Sequence, residues 1–208
     1  MIGYNWASAD LLRLTRPHPS AERSPSMYAL DPVIAYWLIA AFSLLYGEAA
    51  SHKWRSLPHF RAVLARYDVM PSRLIPLATP LIAALESAVA IGLWFPSIRR
   101  AATQAGVTLL LLYAMAIALN LQRGRRDLDC GCSGPLDRRP IASWMVVRNV
   151  LLAAVLGLSQ GPWQTRAFES VDALTLSAGL LVTALIYRAA DQLLARVLPA
   201  ARRLQGLS

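Results

Sequence analysis

The sequence predicts an all-α fold, a multi-pass transmembrane helix bundle of four to five spans with a short interfacial helix after the first. Three observations predict it: 56% of the 208 residues are hydrophobic, 16% are charged, and mean hydropathy is +0.41. Soluble domains carry about 25% charged residues, and a 22.7 kDa globule has too little interior to bury so much apolar surface. The composition gives no support to disordered, coiled-coil or disulfide-scaffold classes.

The charge pattern agrees with a membrane protein. The formal net charge is +9, and nearly all basic residues lie between the apolar stretches. Charges in that position contact lipid phosphates and orient the spans. No nucleic-acid partner is therefore expected, and the lipid bilayer is the first expected partner.

Five apolar stretches are candidate spans, each of which needs about 17–25 residues. They cover residues 33–50, 74–95, 101–121, 141–159 and 171–187. The second and third are long enough and form a hairpin. The first and fourth require a charged residue within the span, and the fifth is shorter. Because backbone polar groups in hydrocarbon must be satisfied within the segment, each span is predicted to be a helix.

The first loop, residues 51–73, is predicted to contain a short amphipathic helix lying in the plane of the lipid headgroups. Ser56 is a suitable N-cap and Pro58 fits the first turn. Apolar residues then recur at helical spacing, with arginines between them: Leu57, Phe60, Leu64 and Tyr67. A soluble loop with scattered apolar residues is the alternative.

The chain is expected to have three parts. Residues 1–30 form a disordered or interfacial tail, residues 31–195 form the membrane domain, and residues 196–208 form a basic C-terminal tail. The first tail has no apolar core of the signal-peptide type. The membrane pattern begins just after Met27, which is an alternative start of the protein.

The two cysteines, Cys130 and Cys132, lie one residue apart in the polar, glycine-rich loop after the third stretch. Free structural cysteines usually lie in apolar cores, so this position favours chemistry over packing as inert small residues. A disulfide between them would close a small, strained ring, and strain makes a disulfide easier to reduce. Gly131 removes a side chain where the backbone folds most tightly. Thiol–disulfide exchange is the preferred interpretation, with either thiol attacking.

Metal binding is the alternative chemistry for this pair. Two thiolates can bind a soft ion such as Cu(I), but tetrahedral zinc needs two more ligands. His52 and His59 are the nearest candidates, and their spacing places neither beside the cysteines. No cofactor is expected, with a quinone or Cu(I) left open.

Two charges lie inside the predicted spans, Glu86 in the second and Arg148 in the fourth. A charge at the bilayer centre costs roughly 2.5–3.5 kcal/mol on insertion scales, so each needs a partner or a cavity. We predict that both face the bundle interior, paired or bridged by Asn149; alternatively, Arg148 snorkels to the interface. Glu48 and His52 lie one turn apart and can touch, although a solvated carboxylate is commoner.

Several motifs together resemble the methylamine utilisation protein MauE family, over about residues 30–195. They are RGRRDLDCGC at 123–132, IASW at 141–144, Arg148-Asn149, His52-Lys53, the segment 60–67, and Glu86. The combination of Cys-Gly-Cys with Arg-Asn is fairly specific. Ser133 stands where the family has Gly or Phe, which alters the loop without removing a thiol.

The resemblance implies a redox-associated, multi-pass protein of the cell inner membrane, related to the DoxX-like group. Founding members are implicated in maturing the small subunit of methylamine dehydrogenase, a periplasmic protein rich in disulfides, alongside a thioredoxin-like partner. The implied partners are thus a thioredoxin-like protein and an exported client, and the implied process is methylamine metabolism. The implied site has Cys130 and Cys132 as exchanging residues, supported by Gly131, Glu86, Arg148, Asn149, His52 and Lys53.

The side of the membrane on which the cysteines lie is left open. Basic residues concentrate in the first loop, the third loop and the C-terminal tail, which the positive-inside rule places in the cytoplasm. Maturation of an exported protein requires the other side. The preferred function is thiol–disulfide exchange, as an oxidoreductase or in support of its partner. The alternatives are a non-catalytic scaffold or chaperone, a metal-binding protein, and a transporter, for which no inverted repeat gives support.

Overall fold

A computed structural model shows a bundle of α-helices and describes residues 31–129, 140–161, 166–167 and 169–204. In chain order, the helices are α1 (Pro32–Arg55), α2 (Leu57–Tyr67), α3 (Ile75–Gly92), α4 (Arg99–Gln122), α5 (Ser143–Leu158) and α6 (Ser170–Leu204). A 3-10 turn, Ser72–Leu74, leads into α3, and no strand occurs in these ranges. The predicted all-α fold is confirmed, and the predicted tail at 1–30 lies outside the described residues.

Among the described residues, four helices are long and apolar enough to cross a membrane. They are α1, the 3-10 turn with α3 (Ser72–Gly92), α4, and the first part of α6 (Ser170–Ala190). The chain is a multi-pass membrane protein. Helix α5, with 16 residues, is shorter, so the fourth stretch, and not the fifth, is the short one. Helix α6 continues to Leu204, through most of the predicted basic tail.

The bundle has two ends. The short turn between α3 and α4, residues 93–98, forms what we call the hairpin end. We call the segment between α4 and α5, residues 123–142, the cysteine loop. It leaves from the opposite end of the bundle, which we call the cysteine-loop end. The main core lies between them, where α1, α3, α4 and α5 meet around these buried side chains: Ile39, Phe42, Tyr46, Val89, Leu93, Leu109, Leu110 and Leu156.

Gly106 allows α4 to approach its neighbours closely. A Cβ at this position would lie 2.9 Å from Leu156 Cδ2 and 3.2 Å from Val89 Cγ1. The Tyr46 hydroxyl donates a hydrogen bond to the Gly106 carbonyl at 2.6 Å. This contact joins α1 and α4 directly inside the core.

Helix α2 has the predicted position in the chain, with Pro58 in its first turn. Its apolar face packs onto the bundle through Phe60, Val63 and Tyr67, all of which are buried. Arg61 and Arg66 lie on its exposed face. Helix α2 therefore covers the cysteine-loop end of the bundle while leaving its arginines outside.

Candidate functional site

A buried ion pair joins α1 to α3 inside the bundle. Lys53 Nζ donates to both carboxylate oxygens of Glu86 at 2.8 Å. The Tyr113 hydroxyl, from α4, donates to Glu86 Oε1 at 2.6 Å. The Lys53 and Glu86 side chains are only 3% and 1% exposed. Three hydrogen bonds to one carboxylate offset part of the cost of removing two charges from water.

Aromatic rings surround the ammonium group of this pair. Lys53 Nζ lies 5.0 Å from the ring centroid of Phe60 and 5.5 Å from that of Tyr113, distances at which a cation and a ring attract each other. A cavity of about 60 Å³, room for a few water molecules, lies beside it and is also lined by Val63 and Ile82. Because Phe60 belongs to α2, the ion pair also holds α2 against the bundle.

The structure confirms that Glu86 faces the interior, but the predicted pairing with Arg148 is wrong. Lys53 and Tyr113 bind the carboxylate instead, because Glu86 lies on the face of α3 that meets α1 and α4. Arg148 is half-buried on α5, with its Cζ 5.3 Å from the Trp144 ring centroid.

Arg148 and Asn149 are in contact, but Asn149 does not bridge Arg148 to Glu86. Arg148 Nη2 donates to Asn149 Oδ1 at 3.4 Å, and Asn149 is 3% exposed. The structure therefore shows a local contact on α5 in place of the predicted bridge between Glu86 and Arg148.

Glu48 and His52 lie on another face of α1 and are in contact. His52 Nε2 is 3.7 Å from Glu48 Oε1, so the contact that the sequence left as the less common alternative is present. The Glu48 carboxylate also accepts a hydrogen bond from Arg188 Nη2 of α6. This second partner was not predicted because it lies 140 residues further along the chain.

Cys130, Gly131 and Cys132 lie outside the described residues, but both attachment points of their segment are described. Asp129 and Pro140 form an isolated antiparallel bridge. The Ile141 N–H donates to the Leu128 carbonyl at 2.9 Å, and both of these side chains are buried. The segment 130–139 therefore starts and ends at two neighbouring points fixed on the bundle.

Helix α2 supports these attachment points. His59 Nε2 lies 3.6 Å from Oδ2 of Asp129, the residue before the first cysteine. The two side chains are 22% and 10% exposed. Arg123 Nη1 donates to the Asp68 carbonyl at 3.0 Å just beyond α2. The cysteine loop is thus tied to α2 by polar contacts as well as by packing.

Sequence reasoning missed Tyr113 and the partner of Lys53, and it considered His59 only as a metal ligand. Two signals were present. Lys53 is the one lysine in a chain otherwise rich in arginine, and Tyr113 is a polar group inside an apolar run of α4. The first signal singles out Lys53 without predicting its burial, and the second indicates a polar contact inside the bundle, but neither gives the partner.

Within the described ranges, no group of three or more His, Cys, Asp or Glu side chains is placed to hold a metal ion. The Cu(I) interpretation depends on Cys130 and Cys132, outside those ranges, and stays a prediction.

Comparison with known proteins places these features in a family. The family model described as "Methylamine utilisation protein MauE" matches residues 31–160, which contain α1 to α5 and the cysteine loop. The chain is 34% identical over 163 residues to the methylamine utilization protein MauE of Methylophilus methylotrophus, covering 77% of this chain and 86% of that protein. It is 33% identical over 171 residues to that of Paracoccus denitrificans, covering 80% and 90%. No solved structure matches the chain.

Proposed function

The chain belongs to the methylamine utilisation protein MauE family, and we propose that it is a membrane thiol–disulfide redox protein that supports maturation of an exported protein. The proposed client is a disulfide-rich protein such as the small subunit of methylamine dehydrogenase. The proposed process is methylamine utilisation, after the names of the relatives. The proposed location is the cell inner membrane.

One observation carries this proposal. Both cysteines of the chain lie in one segment whose ends, Asp129 and Pro140, are bridged to each other at the end of a membrane bundle. Buried Leu128 and Ile141 and the contact from His59 hold that bridge in place. A rigid support of this kind favours presentation of a thiol pair to a partner outside the hydrocarbon.

The proposed exchange is balanced in electrons and protons. A client thiolate attacks one sulfur of the Cys130–Cys132 disulfide, forms a mixed disulfide and releases the other cysteine as a thiolate. A second client thiolate then attacks the mixed disulfide, so the client gains a disulfide and the pair is left reduced by two electrons. A thioredoxin-like partner in its disulfide form restores the pair by the same two steps in reverse.

The interior ion pair has a supporting role in this proposal. Lys53 and Glu86 fix α1 against α3, and Phe60 packs its ring over the Lys53 ammonium. Helix α2 therefore stays on the bundle and keeps His59 beside Asp129. Loss of the ion pair is expected to loosen the support of the cysteine loop without touching either sulfur.

Replacement of the cysteines tests the proposal. Cys130→Ser and Cys132→Ser are each expected to abolish client disulfide formation, scored in cells by the mass added on thiol alkylation. One of the two is also expected to accumulate a mixed disulfide with client or partner, because the resolving thiol is missing. Ser133→Ala is the matched control, since it alters the same loop and keeps both thiols.

Normal client maturation in both cysteine variants would contradict thiol exchange and favour a non-catalytic scaffold. Thiol labelling with a membrane-impermeant reagent on intact cells gives the side of the membrane. Labelling of Cys130 and Cys132 from outside supports direct contact with an exported client. Protection from the reagent, with labelling after lysis, contradicts it.

A further inference from the structure

A cavity of about 420 Å³ opens at the hairpin end, the end opposite the cysteine loop. Its volume lies within the range of about 300–1,000 Å³ that is typical of small-molecule sites. Ile39, Leu93 and Leu156 form its apolar walls. Its polar lining comes from the start of α4 and the end of α5: Arg99, Arg100, Thr103, Ser159 and Gln160.

The charge of this cavity is positive. Two arginines line it, and none of its described lining residues is Asp or Glu. Arg99 Nε donates to the Leu93 carbonyl at 2.9 Å, which holds that guanidinium at the cavity wall. Arg100 is exposed. An arginine guanidinium matches the oxygens of phosphate with several donors in a fixed plane.

The two arginines also occupy an unfavourable place in their own helix. They open α4, where the helix macrodipole already places positive charge. Among the described residues of its first turn, none is acidic, and Ile98 at the N-cap gives no side-chain hydrogen bond. A bound anion would reduce this conflict, because its negative charge offsets the positive helix end and it accepts hydrogen bonds from the guanidinium groups.

Thr103 adds a polar group to the buried part of the cavity wall. It lies one turn after Arg99, lines the cavity and is 1% exposed. Trp94, next to the cavity residue Leu93, is an exposed aromatic residue of the kind that marks the membrane interface. Its position favours a cavity at the depth of the lipid headgroups, where phosphate is the abundant anion.

We propose that this cavity binds a phosphate group, held by Arg99 and Arg100 with Thr103 beneath them. The group is either the phosphate of an anionic phospholipid or free inorganic phosphate. The proposal does not depend on thiol exchange, because the cavity and the cysteine loop lie at opposite ends of the bundle.

Two experiments, the two arms of the test, distinguish a phospholipid phosphate from free inorganic phosphate. The purified full-length chain is incubated in detergent with phosphatidylglycerol, and bound lipid is counted by native mass spectrometry. In parallel, the melting temperature is measured with inorganic phosphate against chloride at equal ionic strength. The test variant is Arg99→Gln/Arg100→Gln, and the matched control is Arg61→Gln/Arg66→Gln, which removes the same charge from the exposed face of α2.

The wild type and the α2 control are expected to bind one phosphate-bearing ligand, and the test variant about tenfold more weakly or less. Retention of phosphatidylglycerol identifies a lipid phosphate, whereas stabilisation by phosphate alone identifies the free anion. Equal binding by wild type and test variant in both arms overturns the proposal. If the test variant does not fold, the single variant Arg100→Gln, at the exposed arginine, is measured in both arms, and unchanged affinity in it overturns the proposal.

Discussion

Helix α1 carries two ion pairs on different faces, and burial makes them unequal. Lys53 and Glu86 are 3% and 1% exposed, and Tyr113 adds a further hydrogen bond. Arg188 and Glu48 are 64% and 50% exposed. A buried charge that loses its partner is left in a medium that cannot solvate it, whereas an exposed charge is solvated again.

The two pairs also connect α1 to different parts of the molecule. We call Lys53 with Glu86 the inner pair, and Arg188 with Glu48 the outer pair. The inner pair joins α1 to α3 and, through the Phe60 ring, to α2, which supports the cysteine loop. The outer pair joins α1 to α6, which lies beyond the region matched by the family model. The inner pair is therefore expected to control the bundle and its function, and the outer pair only the attachment of one helix.

The largest expected effect comes from breaking the inner pair on one side. Lys53→Met leaves Glu86 buried without its cation, and we expect a loss of about 3–5 kcal/mol in the free energy of unfolding. Denaturant unfolding in mild detergent measures it. The double variant Lys53→Met/Glu86→Met is the control and is expected to recover most of the loss. A double variant as unstable as the single one would contradict the explanation.

Tyr113→Phe separates the hydrogen bond from the ion pair. It removes the donor to Glu86 Oε1 and is expected to cost about 1.5–3 kcal/mol, the range for a hydrogen bond to a charged group. Tyr46→Phe is the matched substitution, because its hydroxyl donates to the neutral Gly106 carbonyl, and about 0.5–1.5 kcal/mol is expected. Equal losses in the two variants would show that the charge on Glu86 is unimportant.

The sequence predicts most of the helices because a bilayer constrains both length and hydrogen bonding. An apolar run of sufficient length in hydrocarbon must be a helix. Pro58 and the helical spacing of apolar residues were enough to place α2, although the Ser56 side chain makes no capping hydrogen bond. The end of α6 was not predicted, because hydrophobicity along the sequence shows only where the apolar stretch ends, and the helix continues beyond that point.

The candidate site was less predictable. The position of Glu86 in the middle of an apolar stretch shows that it needs a partner inside the bundle. Whether that partner is Lys53 or Arg148 depends on which faces of α1, α3 and α5 meet. Lys53 is 33 residues from Glu86 and lies near the end of its helix, where a solvated side chain is the ordinary expectation. Packing of Phe60 from α2 and Tyr113 from α4 around its ammonium group makes Lys53 a buried residue.

The outer pair gives a smaller expected effect. Glu48→Gln is expected to change the free energy of unfolding by less than about 1 kcal/mol, because the long side chain of Arg188 can reach the interface without a partner. The same unfolding assay measures it beside Lys53→Met. A loss as large as that of Lys53→Met would remove the distinction between the two faces of α1.

The smallest expected effect is a pH dependence at the start of α1. A hydrogen bond from Arg166, and then one from the Val33 N–H, lower the pKa of the Asp31 carboxyl below its usual 3.8. The ionised carboxylate therefore stabilises the fold at every pH above about 4, and that contribution is lost as the pH falls through the lowered pKa. The melting temperature should drop on acidification below pH 4, and by less in Asp31→Asn. An identical drop in both proteins would assign the acid sensitivity to other carboxylates.

A redox titration of the full-length protein in lipid nanodiscs tests the thiol proposal most directly. The chain has only two cysteines, so the mass added by an alkylating reagent reports the state of Cys130 and Cys132 without ambiguity. Glutathione mixtures poised between about −300 and −120 mV cover the range of cellular dithiol couples. Thiol exchange requires a reversible two-electron transition within that range, and this transition is expected to be absent in Cys132→Ser. A pair that stays fully reduced or fully oxidised throughout would contradict thiol exchange as the function.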